Sequence, residues 1–240
     1  MTPIIISIAA GCSTLVGGLL ALRLRDRLHL ILGFSAGAVV AVAFFDLMPE
    51  ALRLSDTVFG VENIVSCVAL GFLLYLLLDR LLLLHNHAHE DHEHDAPLGH
   101  VRAGSLSLHS FLDGIGIGLA FQVSAGVGAV VALAVLAHDF SDGINTVNVV
   151  VRYGNDRTSA LRWLIVDALA PILGVVTTLF FRLPEAELGV LLAMFAGFFL
   201  YIGASDLVPE SHHVHPTFWT TAMTIFGAAF LFAVIRLASL

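Results

Sequence analysis

Two short stretches of the sequence carry the same order of imidazole and carboxylate side chains within apolar surroundings. Residues 109–114 read HSFLDG and residues 138–143 read HDFSDG, so both follow the pattern H-x-F-x-D-G. On a helix, side chains four positions apart lie on one face, and each stretch therefore places an imidazole beside a carboxylate. The position after each histidine lies about 100° around the helix, which adds Ser110 and Asp139 to the edge of the polar strip.

These side chains predict a metal site. A carboxylate inside a membrane helix costs about 2.5–3.5 kcal/mol, and no Lys or Arg lies between Arg102 and Arg152 to offset the charge. A divalent cation offsets it directly, and imidazole with carboxylate suits Zn²⁺, Fe²⁺, Mn²⁺, Co²⁺ or Cd²⁺ better than Ca²⁺ or Mg²⁺. We expect one ion, or two that share Asp113 and Asp142. The expected ligands are His109, Asp113, His138, Asp139 and Asp142.

Three further polar residues could belong to the same site. Ser110 lies beside the first histidine, and Asn145 continues the polar lining after the second motif, although an Asn in this position could equally form hydrogen bonds between helices. Asp167 lies in a later apolar segment, close to Pro171, where we expect the helix to break. Asp167 could complete the ligand set.

The elements that must position these side chains are membrane-spanning helices. The chain has 240 residues, of which 58% are hydrophobic and 12% charged, whereas soluble domains carry about 25% charged residues. Its mean hydropathy is +0.93, and several apolar stretches exceed the about 20 residues that cross a bilayer. We therefore predict an all-α integral membrane protein with a single transport domain over 1–240. The predicted spans are 3–22, 30–51, 61–84, 103–123, 126–151, 160–182, 186–209 and 217–239.

The arginines predict the orientation of these spans. All eleven basic residues are Arg; eight lie on one side of the predicted spans and three on the other. The richer side is predicted to be cytoplasmic, which places both termini outside. Short loops and the absence of a targeting segment favour a prokaryotic inner membrane. The few, scattered basic residues argue against nucleic acid as a partner.

A second duplication predicts internal symmetry. Residues 46–50 read DLMPE and residues 206–210 read DLVPE, near the ends of two spans that run in opposite directions. This is the pattern of an inverted-topology repeat, here spans 1–3 against spans 6–8 around the central fourth and fifth spans. The alternative is that Pro49 and Pro209 merely end helices and that the neighbouring acids lie in interfacial water. The acids that could line a pore are Asp46, Glu50, Asp206 and Glu210.

Two groups of histidines lie outside the predicted spans. The region 85–99 is polar, lacks apolar periodicity and is predicted to be a cytoplasmic loop that captures metal, or else a solvated tract with incidental affinity. Its histidines are His85, His87, His89, His92 and His94, and His100 follows. A second group on the same side comprises His212, His213 and His215. Cys12 and Cys67 are isolated and predict neither a disulfide nor a thiolate site.

With these motifs, nearly the whole chain resembles the ZIP family, the zinc- and iron-regulated-transporter-like proteins. The family's patterns are H-N-x-x-E-G in the fourth span and commonly H-E-x-x-E-G in the fifth. The corresponding positions are His109, Ser110, Asp113, His138, Asp139 and Asp142. Here every Glu is shortened to Asp, a serine replaces the amide, and the acid of the sixth span, Asp167, lies one turn before the proline. The resemblance implies eight spans, both termini outside, a His-rich cytoplasmic loop and a metal site between spans four and five.

Together, the residues and the resemblance predict uptake of divalent transition-metal ions, most readily Zn²⁺, into the cytoplasm by alternating access. The ion is the transported substrate, and no cofactor is expected. A zinc-dependent intramembrane hydrolase is the alternative, because His, Asp and Ser in membrane helices also serve hydrolysis by metal-bound water. That alternative leaves the duplicated motif and the His-rich loop unexplained. A homodimer is compatible with the sequence.

Overall fold

Helices form the regular structure throughout the part of the chain described by the computed structural model, which covers residues 2–22, 29–84, 96–153, 155–213 and 218–238. This follows from the apolar composition, because a helix satisfies its own backbone groups within a bilayer. Eight of the described helical stretches are long and apolar enough to cross a membrane. The predicted all-α membrane fold is therefore confirmed.

Six spans are single helices and two contain a π-helical segment. The first span is Thr2–Ala21, the third Val61–Leu84, the fourth Ala96–Val123, the fifth Ala125–Arg152, the sixth Arg157–Thr178 and the eighth Phe218–Ala238. The second span joins His29–Val42, the π-helical Ala43–Leu47 and Met48–Phe59. The seventh joins Glu185–Tyr201, the π-helical Ile202–Leu207 and Val208–His213.

Two boundaries differ from the prediction by seven or more residues, and the others differ by four or fewer. The second span continues beyond 51 to Phe59, because its polar end is amphipathic and a hydropathy window does not register it. Gly60 ends it with φ 76°, a conformation that favours glycine, and its N–H donates to the Asp56 carbonyl at 2.8 Å. The fourth span begins at Ala96 rather than 103, so residues 96–99 of the predicted loop are helical.

The prolines of the duplicated pentapeptides do not end their helices. A π-helical segment lies immediately before Met48-Pro49 and before Val208-Pro209, and the chain remains helical beyond both prolines. Proline lacks the N–H of a regular helical bond, and the wider π-helical turn accommodates one extra residue. The alternative that Pro49 and Pro209 merely terminate helices is therefore wrong. The same distortion at the two duplicated sites is consistent with the predicted inverted repeat.

The eight spans pack as two four-helix groups. In the first group, which we call the site bundle, the first and fifth spans pack together, as do the fourth and sixth, and the fourth also packs on the fifth. In the second group, called the flanking bundle, the second span packs on the eighth and seventh, and the third packs on the seventh. The second and fifth spans make the main contact between the two bundles.

Reciprocal glycines bring the paired helices into close backbone contact. In each of four helix pairs, a glycine on one helix lies against the backbone of its partner, and a partner glycine lies against the backbone of the first. The pairs are Gly17 and Gly143, Gly114 and Gly174, Gly37 and Gly227, and Gly71 and Gly197. Exchanging spans one with six, two with seven, three with eight and four with five converts this set into itself, as expected for an inverted repeat.

Candidate metal site

Two histidines and two aspartates converge between the fourth and fifth spans. The Asp113 Oδ2 atom lies 3.1 Å from the His109 Nε2 atom and 3.2 Å from the His138 Nε2 atom. The Asp142 Oδ2 atom lies 3.4 Å and 3.7 Å from the same two nitrogens. All four side chains are buried, and one donor atom from each lies within 4.8 Å of the others. The two H-x-F-x-D-G strips therefore face one another, as the sequence predicts.

The local sequence explains how the two strips come to face each other. In each motif the histidine and the second aspartate are four residues apart on an α-helix and share its face. The glycine that follows lies on a different side: Gly114 contacts the backbone of Pro171 in the sixth span, and Gly143 contacts the backbone of Thr14 in the first. The small residues thus fix each motif helix against an outer neighbour while its polar face points inward.

Each imidazole has a partner for the ring nitrogen that points away from the cluster. The Nδ1–H of His138 donates to the carbonyl of Ala134, one turn earlier, at 2.9 Å. The Nδ1 atom of His109 lies 3.1 Å from the hydroxyl of Tyr75 in the third span. Such partners set the orientation and tautomer of metal-binding histidines. Both Nε2 atoms consequently face the carboxylates.

The donor set fits a divalent cation of borderline softness. Buried carboxylates are tolerated when they are paired or bind metal, and the groups facing Asp113 and Asp142 are imidazoles. The Asp142 Oδ2 and His109 Nε2 atoms are buried without a hydrogen-bond partner, and both point into the cluster. Two imidazole nitrogens with two carboxylate oxygens make a four-coordinate N/O set of the kind that Zn²⁺ accepts.

Asp139, which the sequence placed among the ligands, lies outside this four-residue cluster. It is fully buried, and neither of its carboxylate oxygens has a hydrogen-bond partner. The reason is angular, since position i+1 lies about 100° away from the histidine on the same helix. Its role as a ligand stays a prediction.

Asp167 of the sixth span accepts hydrogen bonds from one hydroxyl group of the fourth span and one of the fifth. The Ser110 hydroxyl donates to its Oδ1 atom and the Thr146 hydroxyl donates to its Oδ2 atom, each at 2.7 Å. The helix continues through Pro171, so the predicted break there is wrong. Neighbouring buried helices allow a transmembrane helix to accommodate an internal proline. Asp167 therefore ties the fourth, fifth and sixth spans together beside the cluster.

A cavity of about 330 Å³ leads from the cluster toward the Arg-rich ends of the spans. His109 and Asp142 lie at its inner end, and Arg80 and Arg102 also line it. Its other polar lining residues are Tyr75, Asp79, Ser105, Asn145, Asn148, Tyr153, Tyr201, Ser205 and Asp206. Asn145 and Asp206 thus line this polar cavity, and their role as pore residues stays a prediction. Sequence reasoning missed Tyr75, Asp79 and Tyr201, because each is a single polar residue without a motif.

Two of the remaining predicted pore acids, Asp46 and Glu50, are not among the four clustered residues. Asp46 lies in the π-helical segment of the second span with its Oδ2 atom buried and without a hydrogen-bond partner. Glu50 accepts hydrogen bonds from both the Nε and Nη2 atoms of the Arg53 guanidinium. Glu210 lies in Val208–His213, but its side chain is outside the described residues.

Most of the predicted metal-capturing histidines also fall outside the description. His85, His87, His89, His92, His94 and His215 are not among the described residues, and only the backbone is described for His212 and His213. His100 is described: its Nδ1 atom accepts a hydrogen bond from the Trp163 indole N–H at 2.7 Å. The role of these histidines in metal capture stays a prediction.

The fold and the cluster define a class: a polytopic membrane protein with a buried His/Asp site in its central helices. A family model described as ZIP Zinc transporter matches residues 101–235, which include most of the fourth span and all of the fifth. The chain therefore belongs to the ZIP zinc transporter family. This confirms the resemblance seen in the sequence.

Similar proteins come from bacteria and animals. Zinc transporter ZupT of Shigella dysenteriae serotype 1 is 28% identical over 233 residues, which cover 89% of this chain and 88% of that protein. Zinc transporter ZIP9 of Micropogonias undulatus is 29% identical over 164 residues, 62% of this chain and 53% of that protein. Zinc transporter zipt-7.1 of Caenorhabditis briggsae is 30% identical over 107 residues. That match covers 43% of this chain and only 27% of the nematode protein.

Proposed function

We propose that the protein transports Zn²⁺ across the membrane and binds it on the way at His109, Asp113, His138 and Asp142. The observation that carries the proposal is the buried convergence of these four side chains at the inner end of a polar cavity. Family membership and relatives named as zinc transporters support zinc as the substrate. Fe²⁺, Mn²⁺, Co²⁺ and Cd²⁺ accept the same donor types, and we extend the proposal to them as weaker candidates.

The site holds one ion in this proposal. The four donor atoms already lie within 4.8 Å of one another, which suits a single four-coordinate ion. A second ion would need Ser110, Asp139 and Asp167. However, the Ser110 hydroxyl already donates a hydrogen bond to Asp167, and that carboxylate also accepts a hydrogen bond from the Thr146 hydroxyl.

The direction of transport in this proposal is into the cytoplasm, because the concentration gradient and the membrane potential draw a divalent cation inward. The cavity opens toward the side that bears most of the arginines, and the positive-inside rule assigns that side to the cytoplasm. Both termini then lie outside, and the His-rich region between the third and fourth spans is cytoplasmic, where it captures emerging ions. The two bundles offer the bodies for alternating access, since one can shift against the other around the site. Bacterial relatives of similar extent favour the inner membrane of a prokaryote.

The hydrolase alternative receives no comparable support. A zinc-dependent hydrolase generally binds its metal through three protein ligands and keeps the fourth position open for the attacking water. Here four donor atoms lie within 4.8 Å of one another, so the cluster offers a full set of four protein ligands. The relatives are named as transporters, in agreement with a protein that is not an enzyme.

Uptake of radioactive Zn²⁺ into proteoliposomes tests the proposal. We expect saturable uptake by the intact protein and its loss in His138→Ala and Asp142→Ala. Asp56→Ala is the matched control, because Asp56 is an exposed carboxylate near the end of the second span, remote from the cluster. Folding of each variant is checked by size-exclusion chromatography. Saturable uptake that persists in both site variants would refute the assignment of the cluster, and absence of flux in the intact protein would refute transport.

A further inference from the structure

Tyr75 contacts the metal cluster from the opposite bundle. It lies in the third span, which belongs to the flanking bundle, whereas the four clustered residues all belong to the site bundle. Its hydroxyl oxygen lies 3.1 Å from the His109 Nδ1 atom, and the two rings meet edge to face with centroids 6.0 Å apart. We infer that the Tyr75 hydroxyl is a positioning group that fixes the tautomer and orientation of His109. The inference rests on the proposed function.

The reason lies in how an imidazole binds metal. The His109 Nε2 atom faces both carboxylates, and it can coordinate an ion only through an unprotonated nitrogen. The ring proton of the neutral imidazole must then be on Nδ1, and Nδ1–H requires an acceptor. The Tyr75 oxygen is that acceptor. Without it, a buried Nδ1–H loses its partner, and the tautomer with the proton on Nε2, which cannot bind metal, becomes more populated.

The Nδ1 atoms of the two histidines have different kinds of hydrogen-bond partner. The Nδ1–H of His138 donates to the Ala134 carbonyl, a backbone group of the same helix, so its tautomer is fixed within the site bundle. The partner of His109 is a side chain and comes from the flanking bundle. A substitution at Tyr75 can therefore remove the hydrogen-bond partner of His109 while the backbone partner of His138 is kept.

The Tyr75 ring is held independently of its hydroxyl. It packs against Tyr201, with centroids 5.3 Å apart, and against Phe198, with centroids 5.7 Å apart. The Tyr201 hydroxyl donates elsewhere, to the Asp79 Oδ2 atom at 2.9 Å. Tyr75→Phe would keep the ring contacts and remove only the acceptor. Tyr201→Phe is the matched control, because it removes a hydroxyl from the same stacked pair, and that hydroxyl does not contact a proposed ligand.

Zn²⁺ binding to the detergent-purified protein and Zn²⁺ uptake into proteoliposomes test the inference. We expect Tyr75→Phe to weaken binding and to raise the KM for uptake by about 10- to 100-fold, the usual effect of losing a partner of a metal ligand. The maximal rate per folded protein should stay near that of the intact protein. Tyr201→Phe should change KM and Kd by less than about threefold. Kd and KM do not depend on how much of the variant folds, so lower yield does not obscure the result.

Two further variants separate this inference from the proposed function. Addition of Tyr75→Phe to His109→Ala should cause no additional loss of Zn²⁺ affinity, because the hydroxyl acts only through that imidazole. The inference is overturned if Tyr75→Phe behaves like Tyr201→Phe, if it lowers only the maximal rate, or if its effect persists in full without His109. Undiminished Zn²⁺ affinity in His109→Ala alone would overturn the proposed site itself.

Discussion

Asp113 is the side chain whose alteration tests the cluster most sharply. Its Oδ2 atom lies within 3.2 Å of the Nε2 atoms of both His109 and His138, so it is a donor placed between the two imidazoles. Asn has nearly the same shape as Asp but carries no charge and coordinates metal weakly. Asp113→Asn should therefore remove one ligand of the four while the helix packing is kept.

The size of the effect can be worked out from the number of ligands. Four-ligand zinc sites in small proteins bind with about 10–16 kcal/mol, or about 2.5–4 kcal/mol for each ligand. At about 1.4 kcal/mol for each tenfold change, the loss of one ligand corresponds to a roughly 100- to 1000-fold weaker Kd. Titration calorimetry of the detergent-purified protein with Zn²⁺ measures this change directly.

Asp79→Asn provides the control for that measurement. Asp79 lines the same cavity and accepts a hydrogen bond from Tyr201, but it lies outside the four-residue cluster. We expect its replacement to change the Kd by less than about tenfold. If Asp113→Asn binds Zn²⁺ within about threefold of the intact protein, or if the two variants are affected equally, the geometric reasoning for the cluster is refuted.

Three further predictions concern packing and folding. Gly143→Ala should lower the free energy of unfolding by about 1–3 kcal/mol, because a methyl group there meets the backbone of the first span. Gly126 is exposed, so Gly126→Ala is the control. Equal effects of the two substitutions on thermal unfolding would contradict the packing argument. Asp167→Ala should lower the free energy of unfolding by about 1–3 kcal/mol, because the buried hydroxyls of Ser110 and Thr146 lose their shared carboxylate acceptor. An unchanged melting temperature would contradict this prediction. Asp156 accepts the Ser159 N–H at the start of the sixth span, and this backbone hydrogen bond lowers the pKa of its carboxyl below 3.8. The contribution of this carboxylate to stability is therefore present above about pH 3.8 and lost as the pH falls through the lowered pKa. Asn can still accept the N–H but does not titrate, so the unfolding of Asp156→Asn, followed from pH 6 to pH 2.5, should lack that pH-dependent component. An identical pH profile in the variant would contradict the lowered pKa.

The sequence predicts the parts of this molecule that depend on one helix at a time. The i, i+4 spacing of His109 and Asp113, and of His138 and Asp142, determines which side chains share a face, and the apolar windows determine the number of spans. Both predictions required only the period of a helix and the thickness of a bilayer.

The features that escaped prediction depend on how helices are rotated against each other. Asp139 lies beside a ligand in sequence but outside the cluster, whereas Tyr75 is distant in sequence and contacts His109. Neither position carries a periodic signal, because packing between helices decides both. Local sequence also did not reveal that helices continue through Pro49 and Pro171, since neighbouring turns and helices compensate for the missing hydrogen bonds.

All four donor residues of the cluster lie in the site bundle, so the affinity for the ion and the rate of transport depend on different parts of the molecule. A rigid displacement of that bundle against its neighbour would carry the coordination sphere intact, since no donor of the cluster belongs to the flanking bundle. The metal–ligand bonds would then determine which ion is selected and how tightly it is held. The contacts between the bundles, which include the Ser35–Ser141 and Tyr75–His109 hydrogen bonds, would determine how fast each cycle proceeds, so ions of very different affinity could share similar translocation barriers.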